Sequence, residues 1–466
     1  MSRSLFASST IACILSLFAV AGSLGCGDNG AGDDDGSSAG GGADAPDDGQ
    51  VAPACEAPRS GPTFHDEDVT GHEIWTAAGS PHIVEWTVDV IDGGTLEIEP
   101  CAVVQLKKGH GLNVAYPGTP TTGTLLAEGT AKRPIRFEGL DGERWGHIFV
   151  HAPGAARLTH VTIDGGGGVD PSGASLIARG DGALPSKRDL FVDGVTISSS
   201  LGAGAVVERL AGFADGSKDL TIVGSGSEEH PFPLEISEHA IGTVPTGSYV
   251  GNRVDEILIN PLERLQEDAT LRELGVPYRI GDSPVDNFTI GAGDQGATLT
   301  TLTIEPGVTV KMHPGTAFQI EHFTGAFPAS GALIAVGTAA EPIVFRSSAD
   351  TPAPGDWVGL WFGGIVQPQT RLEHVHIEHT GADCGCVLLT CSDVDTFEGA
   401  IIMTQPPPSA FVSSSVISHG SGHGFVLGYD GANVDFRSEN QFDSLAGCPA
   451  TLPRDGACTI PLPSCQ

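Results

Sequence analysis

The chain has 466 residues, with 65 Gly, 32 Pro and only 17% charged side chains, a mixture that suits short strands divided by turns. Its 58 acidic against 23 basic residues give a formal charge of −35. That balance excludes a nucleic-acid partner, because phosphate binding needs clustered Lys and Arg and no basic cluster here exceeds Lys107-Lys108 or Lys187-Arg188. An acidic shell is compatible with a divalent cation, although such a surface also serves solubility alone.

Residues 1–25 read as a targeting leader: Arg3 supplies positive charge, Leu5–Ala21 is apolar, and small residues follow at Gly22, Ser23 and Gly25. The apolar stretch is shorter than the roughly 20 residues of a membrane span. Ser23-Leu24-Gly25-Cys26 resembles the lipobox of bacterial lipoprotein signals, which implies Cys26 as the lipidated first residue and the membrane as a partner through an acyl anchor. Here Leu lies two residues before the Cys, where the family has it three before. The alternative is an ordinary secretory peptide cut near Ala21 or Gly22.

Residues 26–53 form a tether. The stretch carries seven Asp, no base and almost no apolar side chain, so burial cannot offset the entropy of ordering it. It is similar to the Gly/Asp-rich tethers of myxobacterial-type lipoproteins. That implies a location in the cell envelope, as an outer-membrane or cell-surface lipoprotein, and otherwise a secreted protein.

The rest of the chain repeats itself. GTLLAEGTAKRPIRF at Gly123–Phe137 and GALIAVGTAAEPIVF at Gly331–Phe345 share nine of fifteen residues without a gap. Their flanks recur in the same order: TLEIEP at Thr95–Pro100 with TLTIEP at Thr301–Pro306, Trp145 with Trp357, and LTHVTID at Leu158–Asp164 with LEHVHIE at Leu372–Glu378. Self-similarity of this kind means one architecture built twice. The expected organisation is a cap at 54–74, a first unit at 75–248, a second at 249–440 and a Cys-rich C-terminal cap at 441–466. Leu262–Leu274 has the 3–4 spacing of a short helix, set against the strand pattern around it.

Within each unit apolar and polar residues alternate, as in Leu299–Lys311, with Pro306-Gly307 as a turn. Hairpin dipeptides are absent between the strands, so the pattern fits a coil winding in one direction. The runs LTIEPGVTVK, GxLxAxGTAxxPIxF, GDWxGL and LxHVxI resemble the right-handed parallel β-helix of the pectin-lyase-like superfamily, closely over about 75–164 and 274–378. That resemblance implies an all-β solenoid with two homologous halves, about 20–25 residues per rung and on the order of 15 turns.

Outside the cytoplasm, Cys55, Cys101, Cys384, Cys386, Cys391, Cys448, Cys458 and Cys465 read as disulfides. A Cys55–Cys101 bridge would tie the first cap to the first coil, and the six C-terminal Cys allow 15 connectivities. Cys101 stands where the second unit has Gly307, and a Cys tolerates positive φ poorly, so a locally different turn is expected there. Cys384-Gly385-Cys386 with Cys391 would alternatively suit zinc.

His374, His376 and Glu378 fall on one face of a strand and are the sharpest metal candidates, beside the plainer reading of an outward polar ladder. Trp361, whose nearest counterpart in the first unit is Phe149 and not a tryptophan, is the candidate for stacking on a sugar ring, whereas Trp357, paired with Trp145, reads as a packing residue. Gly109-His110-Gly111 and Gly422-His423-Gly424 resemble the Gly-His-Gly of polygalacturonase-type hydrolases, but the acidic and basic elements that accompany it in that family are missing. Arg136, Arg346 and Arg371 are isolated, without the acidic cluster a calcium-dependent lyase needs. No catalytic residue and no resident cofactor is assigned. The expectation is a monomeric, non-catalytic surface scaffold or binding module with polysaccharide as the ligand class. A polysaccharide lyase or glycoside hydrolase and an adhesin are the alternatives.

Overall fold

A computed structural model describes residues 54–116, 121–294, 296–322, 325–383, 398–453 and 464–466. The leader, Cys26, the tether, and Cys384, Cys386, Cys391 and Cys458 lie outside them. Residues 52–466 form one compact unit.

The alternation read in the sequence becomes strands with one side inward. In Thr300–Ile304 the side chains of Thr300, Leu302 and Ile304 are buried, while those between them are partly exposed. A strand with one apolar edge cannot bury it alone. Each therefore stacks in parallel on the equivalent strand of the next rung, as Leu302 does on Leu333. The result is two thirteen-stranded and two five-stranded parallel sheets around a single apolar core that runs from Val69 to Ala450. The chain is an all-β parallel β-helix solenoid. Rungs are longer and less regular than expected: in the longest sheet successive partners lie from 21 residues apart (Ile257 and Tyr278) to 40 (Ile377 and Ile417).

Corners are set by residues in the left-handed region, stacked rung on rung. His160, Gly194 and Asp219 form one column, with φ of 46°, 64° and 52°; Gly165, Ser199 and Gly224 form another, at 72°, 55° and 66°. The second half repeats both, with His374 and Ser414 (50° and 52°) and with His379, His419 and Ser444 (65°, 54° and 52°). Before the last rung, the corner amides of the second column donate to the next one: Gly165 to the Ser198 carbonyl at 3.0 Å and His419 to that of Asp443 at 3.1 Å. Local conformational cost is thus offset by an unbroken ladder.

Trp145 and Trp357 are buried at matching corners. Their indole N–H groups donate to the carbonyls of Asp164 and Glu378, both at 2.7 Å.

The halves are joined with an offset. Val103–Leu106 and Thr309–Met312 occupy the same place in the duplication, yet the first stacks on His82–Val84 and Ile135–Gly139. The second lies in the long sheet that carries Leu112–Val114, Ile148–His151, Leu176–Arg179, Ala205–Glu208, Leu234–Ser237 and Ile257–Asn260. The crossing occurs where Tyr278–Ile280 stacks on Ile257–Asn260. Backbone ladders are generic, so a side of the second coil can stack on a neighbouring side of the first, provided inward apolar residues continue inward, as Ile257 and Ile259 do into Tyr278 and Ile280.

Two expectations are corrected. Leu262–Leu274 is not helical. Leu265 pairs with Ile290 and Ala269–Leu271 is a strand, because Leu265 and Leu271 are both needed in the core and tertiary stacking overrides local propensity. The turn at Cys101 does not differ from that at Gly307: φ is 81° in one and 84° in the other.

Both ends are closed. Thr63–His65 and His72–Trp75 already pair with the following rung, and the amides of Arg59 and Ser60 bind the Ala78 carbonyl. Cys55 is bonded to Cys101, the pairing expected from the sequence. At the other end Cys448 is bonded to Cys465, and Thr451 forms an antiparallel bridge with Cys465, covering the last edge.

Candidate functional site

Outward side chains of the long sheet form a ladder set by register: Asp89, Asn113, Phe149, Ile177, Val206, Glu235, Leu258, Arg279, Lys311 and Arg346. Midway along it is a groove, and near Ile177, Val206 and Glu235 a cavity of about 310 Å3 opens into it. Ile177 and Val206 line it, backed by the buried Ala174 and Ala203, with Phe149 packed against the same cluster. Asp170 and His230, which come from the connecting segments, line its rim.

Charge is concentrated there. Arg179 pairs with Glu208 on the next rung, and its guanidinium carbon lies 4.9 Å from the Phe149 ring centre. Glu235 is only 5% exposed, between Val206 and Leu258 in the ladder. A carboxylate so placed requires a partner, and His230 supplies it, Nδ1 to Oε1 at 3.0 Å. The hydrogen bond to Glu235 raises the His230 pKa above the ordinary imidazole value, with the charges of Glu235, Glu229 and Asp170 adding to it. Three rungs from Glu235, His147 and His151 flank Phe149 at 5.4 and 4.5 Å between ring centres. Burial lowers both imidazoles, aided by Arg179, and brings His151 to about 4. The groove therefore offers a paired imidazole, a guanidinium over an aromatic face and apolar lining at Ile177 and Val206. That set suits a ligand carrying hydroxyl groups on a partly apolar ring.

The sequence candidates do not converge on this place. His374 is a corner residue, separated from His376 and Glu378 by a change of direction between Arg371–Glu373 and Val375–Glu378, so the three do not share one strand face. His376 and Glu378 point outward, with Val375 and Ile377 in the core. Among the described residues no group of three His, Cys, Asp or Glu gathers where it could hold a metal ion. Trp361 is not an exposed stacking platform. It is 6% exposed and packs with Ala317, Val358, Ile402 and Val426 on the outer side of a five-stranded sheet, a side that is itself covered. The exposed tryptophan is Trp86, at 60%, with Lys107 5.6 Å above its ring and His110 edge-on at 5.1 Å. His423 Nδ1 accepts the Cys448 amide at 2.8 Å, a structural bond in the C-terminal cap.

Sequence reasoning missed the groove residues. Phe149, Ile177, Val206 and Glu235 recur at 28, 29 and 29 residues. That rung period is the signal that could have found them. No protein-family model, curated protein or solved structure matches the chain.

Proposed function

We propose that this chain is a lipid-anchored cell-envelope β-helix of the pectin-lyase-like, myxobacterial type, a non-catalytic surface module that binds polysaccharide along the outer face of its long sheet. The observation that carries the reading is the groove itself: Arg179 held over Phe149 by Glu208, beside apolar lining and a buried Glu235 paired with a partly exposed His230. Sugar recognition needs a flat apolar contact and fixed polar groups at its margin. Binding is tested on a panel of neutral and acidic polysaccharides, with Phe149→Ala and Arg179→Ala beside the parent. Retained melting temperature with binding weakened about tenfold or more supports the reading. A parent that binds none of them, or variants that bind equally, overturns it. Anchoring is tested separately: Cys26→Ser should release the protein from the membrane fraction.

The second reading, a polysaccharide hydrolase or lyase, is favoured by the His230–Glu235 pair alone, since a raised imidazole pKa suits proton transfer at neutral pH. Release of reducing ends or unsaturated products, lost in His230→Gln with binding retained, would establish it in place of the first.

A further inference from the structure

We infer that the outer face of the long sheet carries an oxyanion-binding site built by Arg346, Ser348 and His379, in the second half and apart from the groove. Register places Arg279, Lys311 and Arg346 side by side on successive rungs, at the roughly 4.8 Å spacing of neighbouring strands. Like charges directly opposite one another destabilise a sheet, so such a ladder needs counter-charge. One carboxylate supplies part of it: Glu256 binds Arg279 Nε at 2.8 Å and Lys311 Nζ through its other oxygen. Arg279 is occupied further, donating to the Ser348 carbonyl at 3.3 Å and stacking on Phe232.

Arg346 has no such relief. Among the described residues its side chain makes no hydrogen bond or ion pair, and its Nε is shielded from solvent without a partner. Glu378 follows it in the ladder and forms no ion pair with it. Two residues on, the Ser348 hydroxyl is also buried and unpartnered, in a residue 7% exposed. His379 Nδ1 is a third buried atom without a partner. Burial lowers the His379 imidazole, His419 and Arg346 add to this, and Glu378 and Asp356 oppose it, which puts the ring within reach of the guanidinium's field. Three groups able to donate, none with an acceptor, call for a ligand that supplies acceptors. Each such buried donor left unmade costs about 1–3 kcal/mol. A carboxylate, sulfate or phosphate supplies such acceptors, and Arg presents a planar fork suited to any of them.

The inference does not depend on polysaccharide binding in the groove. The test is titration of the full chain with sulfate, phosphate and acetate at constant ionic strength, read by melting temperature and calorimetry. A saturable response to at least one is expected, with the choice among the three separating tetrahedral from planar oxyanions. Arg346→Gln should weaken it about tenfold or more, the loss of one charge-assisted hydrogen bond, without lowering the ligand-free melting temperature. Arg188→Gln, remote on the surface, should leave it unchanged. Should Arg346→Gln fail to fold, Ser348→Ala serves as the second variant. No saturable response to any of the three, or equal affinity in the variants, overturns the inference.

Discussion

Cys101 and Gly307, equivalent residues of the two halves, hold the same left-handed turn, with φ of 81° and 84°. A side chain in that region costs roughly 1–2 kcal/mol, yet Cys101 accepts it because its sulfur is bonded to Cys55, 46 residues away. The prediction is an inequality. Cys55→Ser should destabilise by about 3–4 kcal/mol through the released chain. Cys101→Gly loses the same bond and recovers the strain, so it should cost about 1–2 kcal/mol less. Equal denaturation midpoints for the two variants would contradict this account of the turn.

The paired tryptophans make a second prediction. Trp357→Phe and Trp145→Phe keep most of the buried ring and remove the indole donor from the carbonyls of Glu378 and Asp164. Each should cost about 1–3 kcal/mol. Because the two corners are remote, the double variant should cost the sum. Denaturant unfolding checks both statements.

Glycines repeated between the halves mark close backbone approach. A Cβ on Gly123 would fall 1.8 Å from the Val90 oxygen, and one on Gly331 2.4 Å from that of Ile290. Alanine at either position should destabilise by about 3 kcal/mol, the upper end for an overpacked site. Thermal unfolding of the two variants measures it, and an unchanged melting temperature would contradict the packing described.

Stability should fall as pH falls from 6.5 toward 4. Burial lowers the imidazoles of His65, His82, His147, His151 and His379, in His151 to about 4. Across this window the unfolded chain binds more protons than the folded one, so the stabilisation present above pH 6.5 is lost on acidification. The first rung is exposed to this effect through a connected network. His65 Nε2 lies 2.9 Å from His82 Nδ1, His82 Nε2 donates to the Thr76 carbonyl at 2.8 Å, and Trp75 Nε1 donates to Glu73 at 2.7 Å. His230 opposes the trend, since its raised pKa favours folding at lower pH, as do the raised carboxyls of Asp89, Asp189 and Asp282. Melting temperature against pH should show a net decline, flattened in His151→Gln.

Much of the fold was legible because stacking leaves marks on side chains. Alternation in Leu299–Lys311 gave the strands, and the duplicated Trp145 and Trp357 gave matching corners. His160 and His374 recur because both turn the chain in the left-handed region (φ 46° and 50°), a backbone reason that sequence reading mistook for ligand chemistry in His374. The offset between the halves was not legible, since the ladder that joins Ile257 to Tyr278 is made by peptide groups common to every strand. Trp361 misled for a related reason: nothing in its own strand reveals that the outer side of that sheet is covered. The groove was hidden because Phe149, Arg179, Glu208 and Glu235 come from separate rungs and form no local motif.

The central claim is one parallel stack in which the second coil continues the first with its faces advanced by one. Paired cysteines test it most directly, since partners in parallel register lie within reach of a disulfide. Leu258→Cys with Arg279→Cys should form the bond readily under mild oxidation, because these residues are lateral neighbours. If Ser248→Cys with Arg279→Cys bonds instead, the second half repeats the first face for face, and the account is contradicted.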